Sequence, residues 1–501
     1  MCSSFAPITN SNDQSNRANP AIFIVFDFIF LAHKINITYH SANQPIQNMP
    51  FYGLLIVLIL SPIPFGSNRP WSWSLLCLLI GLLTISWCIS YFLQDKKMQL
   101  HFTRIKPPFV LFISTLLWAF IQTSSFIPES WGHPLWQITA QALGTEIPTK
   151  ISLSPEQTVT SLMRLISYGL VFILAMYYCQ KSDNAKKLFN CFAVVGFVYA
   201  IYGLIIYLGD FNKILWFDEP NKSAVSSTFI NRNSYATYAG LSLLCIIPNI
   251  LRQFKSSATY GLNSNYGKQL FIETLITRAW LPTLMFFTIG TALFLTHSSG
   301  GFLSTTLAII CLFSLLSFSN KLQNRPLTYA TFAVIFMPVT LFSISSDKLM
   351  ERMGHISVEK SGRPKVYSAT LTGISDNPYL GYGYGSYEST FRLYRTKEIR
   401  GNYNKAHNTY LENIFELGIP AASALFLSIF LIALKCLTGV WSRQRNWIYP
   451  AIGFSSTVLV AAHSFVDFSP LMPAVAVTYA VTYAAILGAG FAQSFSTKHP
   501  Q

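Results

Sequence analysis

Runs of uncharged, apolar residues about as long as a bilayer is thick recur along this chain, and no other feature limits its fold so strictly. A helix rises about 1.5 Å per residue, so about 20 residues cross the roughly 30 Å of hydrocarbon. Inside that layer every backbone N–H and C=O must find its partner within the protein, which leaves helices and closed barrels as spanning structures. Continuous apolar runs of this length specify helices. Twelve of them lie near 51–65, 71–94, 108–126, 159–179, 188–209, 234–251, 279–296, 300–318, 328–345, 411–434, 448–466 and 471–492. Only 11% of the residues are charged and mean hydropathy is +0.39, against about 25% charged in an ordinary soluble domain. The reading is an all-α polytopic membrane protein of about twelve transmembrane helices.

Lys and Arg in the short loops set the expected orientation, because positively charged loops stay in the cytoplasm. One side collects Lys96, Lys97, Arg104 and Lys106, then Lys181, Lys186 and Lys187, then Arg252, Lys255, Lys268 and Arg278, then Lys321 and Arg325, then Lys435, Arg443 and Arg445, and finally Lys498. The alternation places both termini inside. The formal net charge of +15 then reflects this bias and contacts with anionic membrane lipids rather than nucleic acid. Eight cysteines have no paired metal-ligand spacing, so no disulfide framework, metal or cofactor is expected. Residues 1–48 are poorly patterned. Their run "AIFIVFDFIFLA" is too short to span and does not read as a signal peptide. Met49 opens directly onto the first span, so translation is expected to start there.

The remaining organisation is helices 1–9 over 49–345, a large outward loop over 346–410, helices 10–12 over 411–492, and a cytoplasmic tail, 493–501. The large loop carries ten Lys or Arg residues against six acids, which suggests an anionic ligand delivered at the membrane face, a pyrophosphate being a natural candidate. Within it, "SGRPKVYSATLTGI" reads as a short amphipathic helix, "DNP" as its stop, and "GYGYGS" as a turn using Gly381, Gly383 and Gly385. That turn lacks the Lys-Ser/Thr of a P-loop. The loop ends at "RGNYNKAHNTYLENIFELGIP", where His407 stands at the seam between a basic tail and an apolar helix.

"GYGYGSYESTF…AHNTYLENIFELGIPAA", with "SGRPKVYSATLTGISDNPYLG" before it and "AHSFVDFSPLMPAVAVTYA" after it, closely resembles the O-antigen ligase and polymerase superfamily of membrane glycosyltransferases. Weaker matches extend to "STFINRNSYATYAG", "PFGSNRPW" and "ISLSPEQTVTSLMRLISY". The resemblance implies a GT-C-like bundle with a helical periplasmic cap in the bacterial inner membrane, its site facing the periplasm. It implies a donor glycan on undecaprenyl pyrophosphate and an acceptor hydroxyl on lipid A-core or another molecule, with no metal and no cofactor.

On that resemblance His407 is the general base or acceptor-orienting residue, since a proton must leave the acceptor hydroxyl and imidazole titrates near the working pH. Arg363 and Arg232 are expected to hold the pyrophosphate with their planar forks, helped by Asn231 and Asn233. Tyr410, Glu412, Gly383, Gly385, His463 and Asp467 complete the expected substrate-binding set. His463 and Asp467 are four residues apart and so would share one helical face. Arg164 reads either as a wall of the site or as a structural ion-pair member. Ser299 stands where many family members have Arg, with His297 two residues before it. Moderate length and a single dominant outward loop favour a ligase. The alternatives are a polymerase of O-antigen or exopolysaccharide, a protein O-oligosaccharyltransferase, and, in another class, a lipid-linked glycan transporter.

Overall fold

The computed structural model describes residues 43–92, 105–211, 213–218, 224–254, 264–319, 362–399, 401, 403–443 and 446–496. The expected span at 328–345, most of the N-terminal segment, and residues 346–361 of the large loop lie outside them. The chain forms two compact units, Met1–Met49 and Pro50–Gln501, and the second holds the helical bundle.

The helices are α1 (Asn43–Leu60), α2 (Pro70–Phe92), α3 (Lys106–Thr123), α4 (Pro134–Leu143), α5 (Pro155–Tyr178), α6 (Ser182–Leu208), α7 (Arg232–Gln253), α8 (Asn265–Thr277), α9 (Trp280–Leu295), α10 (Ser299–Phe318), α11 (Arg363–Asp376), α12 (Tyr387–Thr390), α13 (Thr409–Ser442), α14 (Ile448–Ser464) and α15 (Pro473–Ser496). Among the described residues the only sheet is a hairpin, β1 (Lys213–Ile214) antiparallel to β2 (Phe217–Asp218). Every expected apolar segment that falls on described residues coincides with a helix. Six of these helices (α2, α5, α6, α7, α10 and α13) are long and apolar enough to cross a membrane, and α8 with α9, bent by 69°, makes a seventh if counted as one span. The apolar stretches Asn48–Leu60 and Pro473–Gly488 are shorter. The expected count of twelve is therefore met only in part. Helix α14 has just 17 residues, and α3 opens on Lys-Pro-Pro and closes on Gln-Thr, which dilutes its apolar run.

Helix α7 is the central one: 89% of its apolar window is buried inside the protein, against 22% for α2. Its residues explain the difference. Small and hydroxyl-bearing side chains let neighbouring backbones approach closely; a Cβ on Gly240 would lie 2.3 Å from Thr305 Oγ1. Helix α2 instead turns Leu75, Leu78, Leu82, Ile85 and Ile89 outward, the dress of a lipid-facing helix. The bundle is knit by α15 along α5, α10 along α14, α13 along α3 and α9 along α7.

A small second core sits at the N-terminal end of α13, made by Val366, Tyr382, Tyr387, Phe391 and Phe415. It is joined to the bundle through a break in α13. Gly418 has φ 77° and ψ 161°, with Pro420 two residues on, so the helix cannot continue its ladder there. Each freed backbone group finds a partner. Gln122, at the end of α3, donates to the carbonyls of Glu416 (2.9 Å) and Leu380 (2.8 Å) and accepts from Tyr384 N (3.1 Å). Trp118 Nε1 donates to Leu417 O at 2.8 Å, and Ile419 N donates to Pro378 O at 2.8 Å. The glycine turn closes the joint: Tyr382 N and Gly383 N both donate to Glu416 O. A Cβ on Gly381 would meet Glu416 O at 2.4 Å, and one on Gly385 would meet Ser161 Oγ at 1.9 Å.

Candidate functional site

Four separate segments converge beside His407: the start of α7, the start of α11, the seam before α13 and the turn after α14. His407 adopts φ 53°, a left-handed conformation rare outside glycine. The surrounding backbone is held from several sides. Asn408 caps α13 by accepting from Tyr410 N (3.0 Å) and Leu411 N (3.1 Å), and its amide donates to Phe465 O (3.0 Å). Tyr367 of α11 donates its hydroxyl to His407 O at 2.9 Å. Glu412, fully buried, accepts from Lys405 Nζ at 2.7 Å and Ala406 N at 2.9 Å. Burial alone would discharge Lys405, but the Glu412 and Glu416 carboxylates outweigh it and hold its pKa above the ordinary value. The two residues preceding His407 are thus fastened to α13.

Asp467 is the buried counterpart. His407 Nδ1 lies 3.8 Å from Asp467 Oδ1, with the histidine 25% exposed and the aspartate 0%. Asn233 Nδ2 donates to the same Oδ1 at 3.0 Å, the Ser469 hydroxyl donates to Oδ2, and Thr409 Oγ1 donates to the Asp467 backbone carbonyl at 2.8 Å. Burial pushes the Asp467 carboxyl up. The facing His407, nearby His463 and the donors Ser469 and Asn233 more than reverse this and hold it below the ordinary carboxylate value. Phe468 stacks edgewise on the His407 ring at 4.9 Å. An imidazole with one nitrogen turned to a buried carboxylate and a partly open ring is suited to take up a proton from a hydroxyl.

The expected site residues divide into two groups. His407, Asp467, Asn233 and Asn231 come together, Asn231 as the cap of α7 accepting from Asn233 N at 2.7 Å. Arg363 opens α11 and its Nη1 donates to Val466 O at 3.1 Å, immediately before Asp467. Arg232 is the first residue of α7, exposed. His463 faces the same α7 turn, its Nδ1 2.6 Å from Thr237 Oγ1. The expected sharing of one helical face by His463 and Asp467 is corrected: α14 ends at Ser464, so Asp467 stands in the following turn. Glu412 secures the His407 loop from a fully buried position, Tyr410 donates its hydroxyl to Ala461 O at 3.0 Å, and Gly383 and Gly385 are packed against Ser152 and Ser161. These four contribute architecture around the site. Tyr367, Thr409, Asn408 and Ser469 were absent from the expected set. Asn408 alone had a local signal, a capping residue just before an apolar run.

The bundle and this site together define a polytopic helical membrane protein with a histidine–carboxylate centre at one end of its helices. Residues 284–426 match the Wzy_C family, described as O-antigen ligase, so this part of the chain carries a domain of the O-antigen ligase superfamily. That superfamily comprises glycosyltransferase-like ligases and polymerases that work on lipid-linked glycans in membranes. The match contains Arg363 and His407; the α7 start and Asp467 lie outside it. No curated protein matches the chain.

Proposed function

We propose that the protein is an O-antigen ligase-like glycosyltransferase that moves a glycan from undecaprenyl pyrophosphate to an acceptor hydroxyl, lipid A-core being the leading acceptor, at the periplasmic face of the bacterial inner membrane. The observation that carries this reading is the meeting of His407 with buried Asp467, with Arg363 fastened one residue away at Val466 O. Asp467 orients His407 through Nδ1, leaving Nε2 to take the acceptor proton. The acceptor oxygen bonds to the anomeric carbon as the bond from that carbon to the pyrophosphate oxygen breaks. The pyrophosphate leaves with its electron pair, and Arg363 and Arg232 hold its charge. Asn233 and Ser469 keep the carboxylate in place. A carboxylate held below its ordinary value stays ionised at neutral pH, which suits it to stabilise the imidazolium formed during transfer.

The test uses purified protein in proteoliposomes containing a polyprenyl pyrophosphate glycan, offered lipid A-core, further donor molecules, or an acceptor protein. Transfer to lipid A-core, with donor affinity falling at least tenfold in the double variant Arg363→Gln, Arg232→Gln, supports the reading. Elongation of the donor glycan would assign a polymerase and modification of the protein a protein O-oligosaccharyltransferase. Unchanged donor affinity in the double variant would overturn the arginine roles. Movement of intact donor across the bilayer without transfer would replace the enzyme by a transporter.

A further inference from the structure

A cavity lies among α3, α5, α13, α14 and α15, with a volume of about 600 Å3. None of His407, Asp467, Arg363 and Arg232 lines it. It follows α5 from Ser161 to Ile173, a distance of about 18 Å at the helical rise. Along most of that length its wall is apolar, with Phe112 and Leu425 among the contributors. One end is different: Arg164, Lys405, Glu412, Asn413 and Glu416 gather there.

Buried polar atoms at that end lack partners. Asn413, 2% exposed, gives its Nδ2 to Thr409 O at 2.7 Å, while its Oδ1 is buried with no hydrogen bond. Arg164 Nε and Tyr168 Oη are buried in the same way, and both residues line the cavity. Orphaned buried polar groups are rare in proteins because each carries its full desolvation penalty. The neighbouring carboxylates do not account for Arg164. Glu412 is engaged by Lys405 Nζ and Ala406 N, and Glu416 Oε1 accepts from Tyr387 N at 3.0 Å. Arg164 itself has the Ser161 hydroxyl at 2.7 Å and the Trp73 ring at 5.3 Å, and among the described residues no carboxylate forms an ion pair with it.

We infer that this cavity holds the hydrocarbon chain of a membrane phospholipid, with its phosphate against Arg164 and a hydrogen-bond donor of its head group at Asn413 Oδ1. A long apolar wall ending in a cation and an unfilled acceptor matches an amphiphile with an anionic, donor-bearing head. The site has its own cation, and Arg363 and Arg232, the arginines proposed to hold the pyrophosphate, do not line it, so on that reading the lipid is a resident one rather than the glycan donor. The inference is independent of the transfer reaction, because binding is read without turnover.

The experiment is native mass spectrometry of the full chain purified in mild detergent, together with binding of dodecyl phosphate and of dodecyl maltoside as an uncharged control. The expected result is one retained phospholipid per chain in wild type, lost in Leu425→Trp, which fills the cavity. Dodecyl phosphate affinity should fall at least tenfold in Arg164→Gln while dodecyl maltoside binding is unchanged. Arg164→Gln leaves the cavity's shape intact and so tests the site even if Leu425→Trp does not fold. Absence of both a retained lipid and saturable dodecyl phosphate binding would overturn the inference, as would equal dodecyl phosphate affinity in wild type and Arg164→Gln. Retention of a polyprenyl pyrophosphate in place of a phospholipid would also overturn it, by assigning the cavity to the donor.

Discussion

His407 and Asp467 are joined across 60 residues of sequence through one 3.8 Å approach, and the second residue's state can be tested separately from catalysis. Asp467→Asn keeps the shape but removes the charge that Asn233, Ser469 and His407 face. Loss of charge-assisted hydrogen bonds in a buried site should lower stability by about 1–3 kcal/mol. The pH dependence follows from the direction of the shift. A carboxyl held below its ordinary value of 3.8 contributes stability above that value and loses it as pH falls through its folded-state value. Thermal unfolding of wild type and Asp467→Asn in detergent should therefore differ most at neutral pH and converge below about pH 4; a gap that widens on acidification would contradict this. Glu412→Gln probes the other anchor. It weakens the tie to Lys405 yet retains an acceptor for Ala406 N, so it should reduce transfer several-fold while the protein stays folded in size-exclusion chromatography. His407 and Arg363 were named on the family resemblance of the motifs around them, and the fold brings both beside the turn after α14, at Asp467 and Val466. Tyr367 was not named, because nothing in a lone tyrosine on an amphipathic helix reveals that its hydroxyl will meet a carbonyl 40 residues away.

Helix α13 bears the main mechanical decision of the fold, since its break at Gly418 lets the glycine turn dock on α3 and α13 at once. A Cβ at position 418 would stand 2.2 Å from Tyr379 O at a φ of 77°. Gly418→Ala should destabilise by about 3 kcal/mol, read as a clear drop in melting temperature in a detergent thermal-shift assay; an unchanged melting temperature would refute the close approach. The apolar runs announced most helices by length alone, because hydrocarbon imposes one periodicity-free requirement on every span. The break was not read from the sequence, which presents 411–434 as one span, although "ELGIP" carries a helix-breaking pair. Its purpose was not legible either, because the partners Gln122, Trp118 and Tyr382 come from distant segments. The α14 terminus was misjudged for a related reason: "HSFVDF" is apolar enough to prolong a helix, but side-chain and backbone bonds of Asp467, Ser469 and Thr409 reward a turn instead.

At the scale of the whole molecule, the site's location depends on which end of the bundle faces outward. The proposed orientation, taken from the charge alternation of the loops, has the His407 end facing the periplasm. In a background lacking the native cysteines, a cysteine at exposed Ser368 of α11 should react with a membrane-impermeant maleimide in cells with a permeabilised outer membrane. One at Asp183, at the start of α6, should react only after the inner membrane is opened. The reverse pattern would invert the molecule and separate the site from a periplasmic glycan. The orientation is an expectation from loop charge, a local property of the sequence, and this labelling tests it. The cavity beside Arg164 was not legible in the sequence, because it exists only once five helices have packed. The measurement closest to the central claim is glycan transfer by His407→Ala in proteoliposomes where donor binding to the variant has been verified. The account predicts wild-type donor affinity with transfer reduced by at least about 10³-fold, the scale of a lost general base together with its positioning. Transfer at the wild-type rate by a donor-bound His407→Ala protein would contradict it.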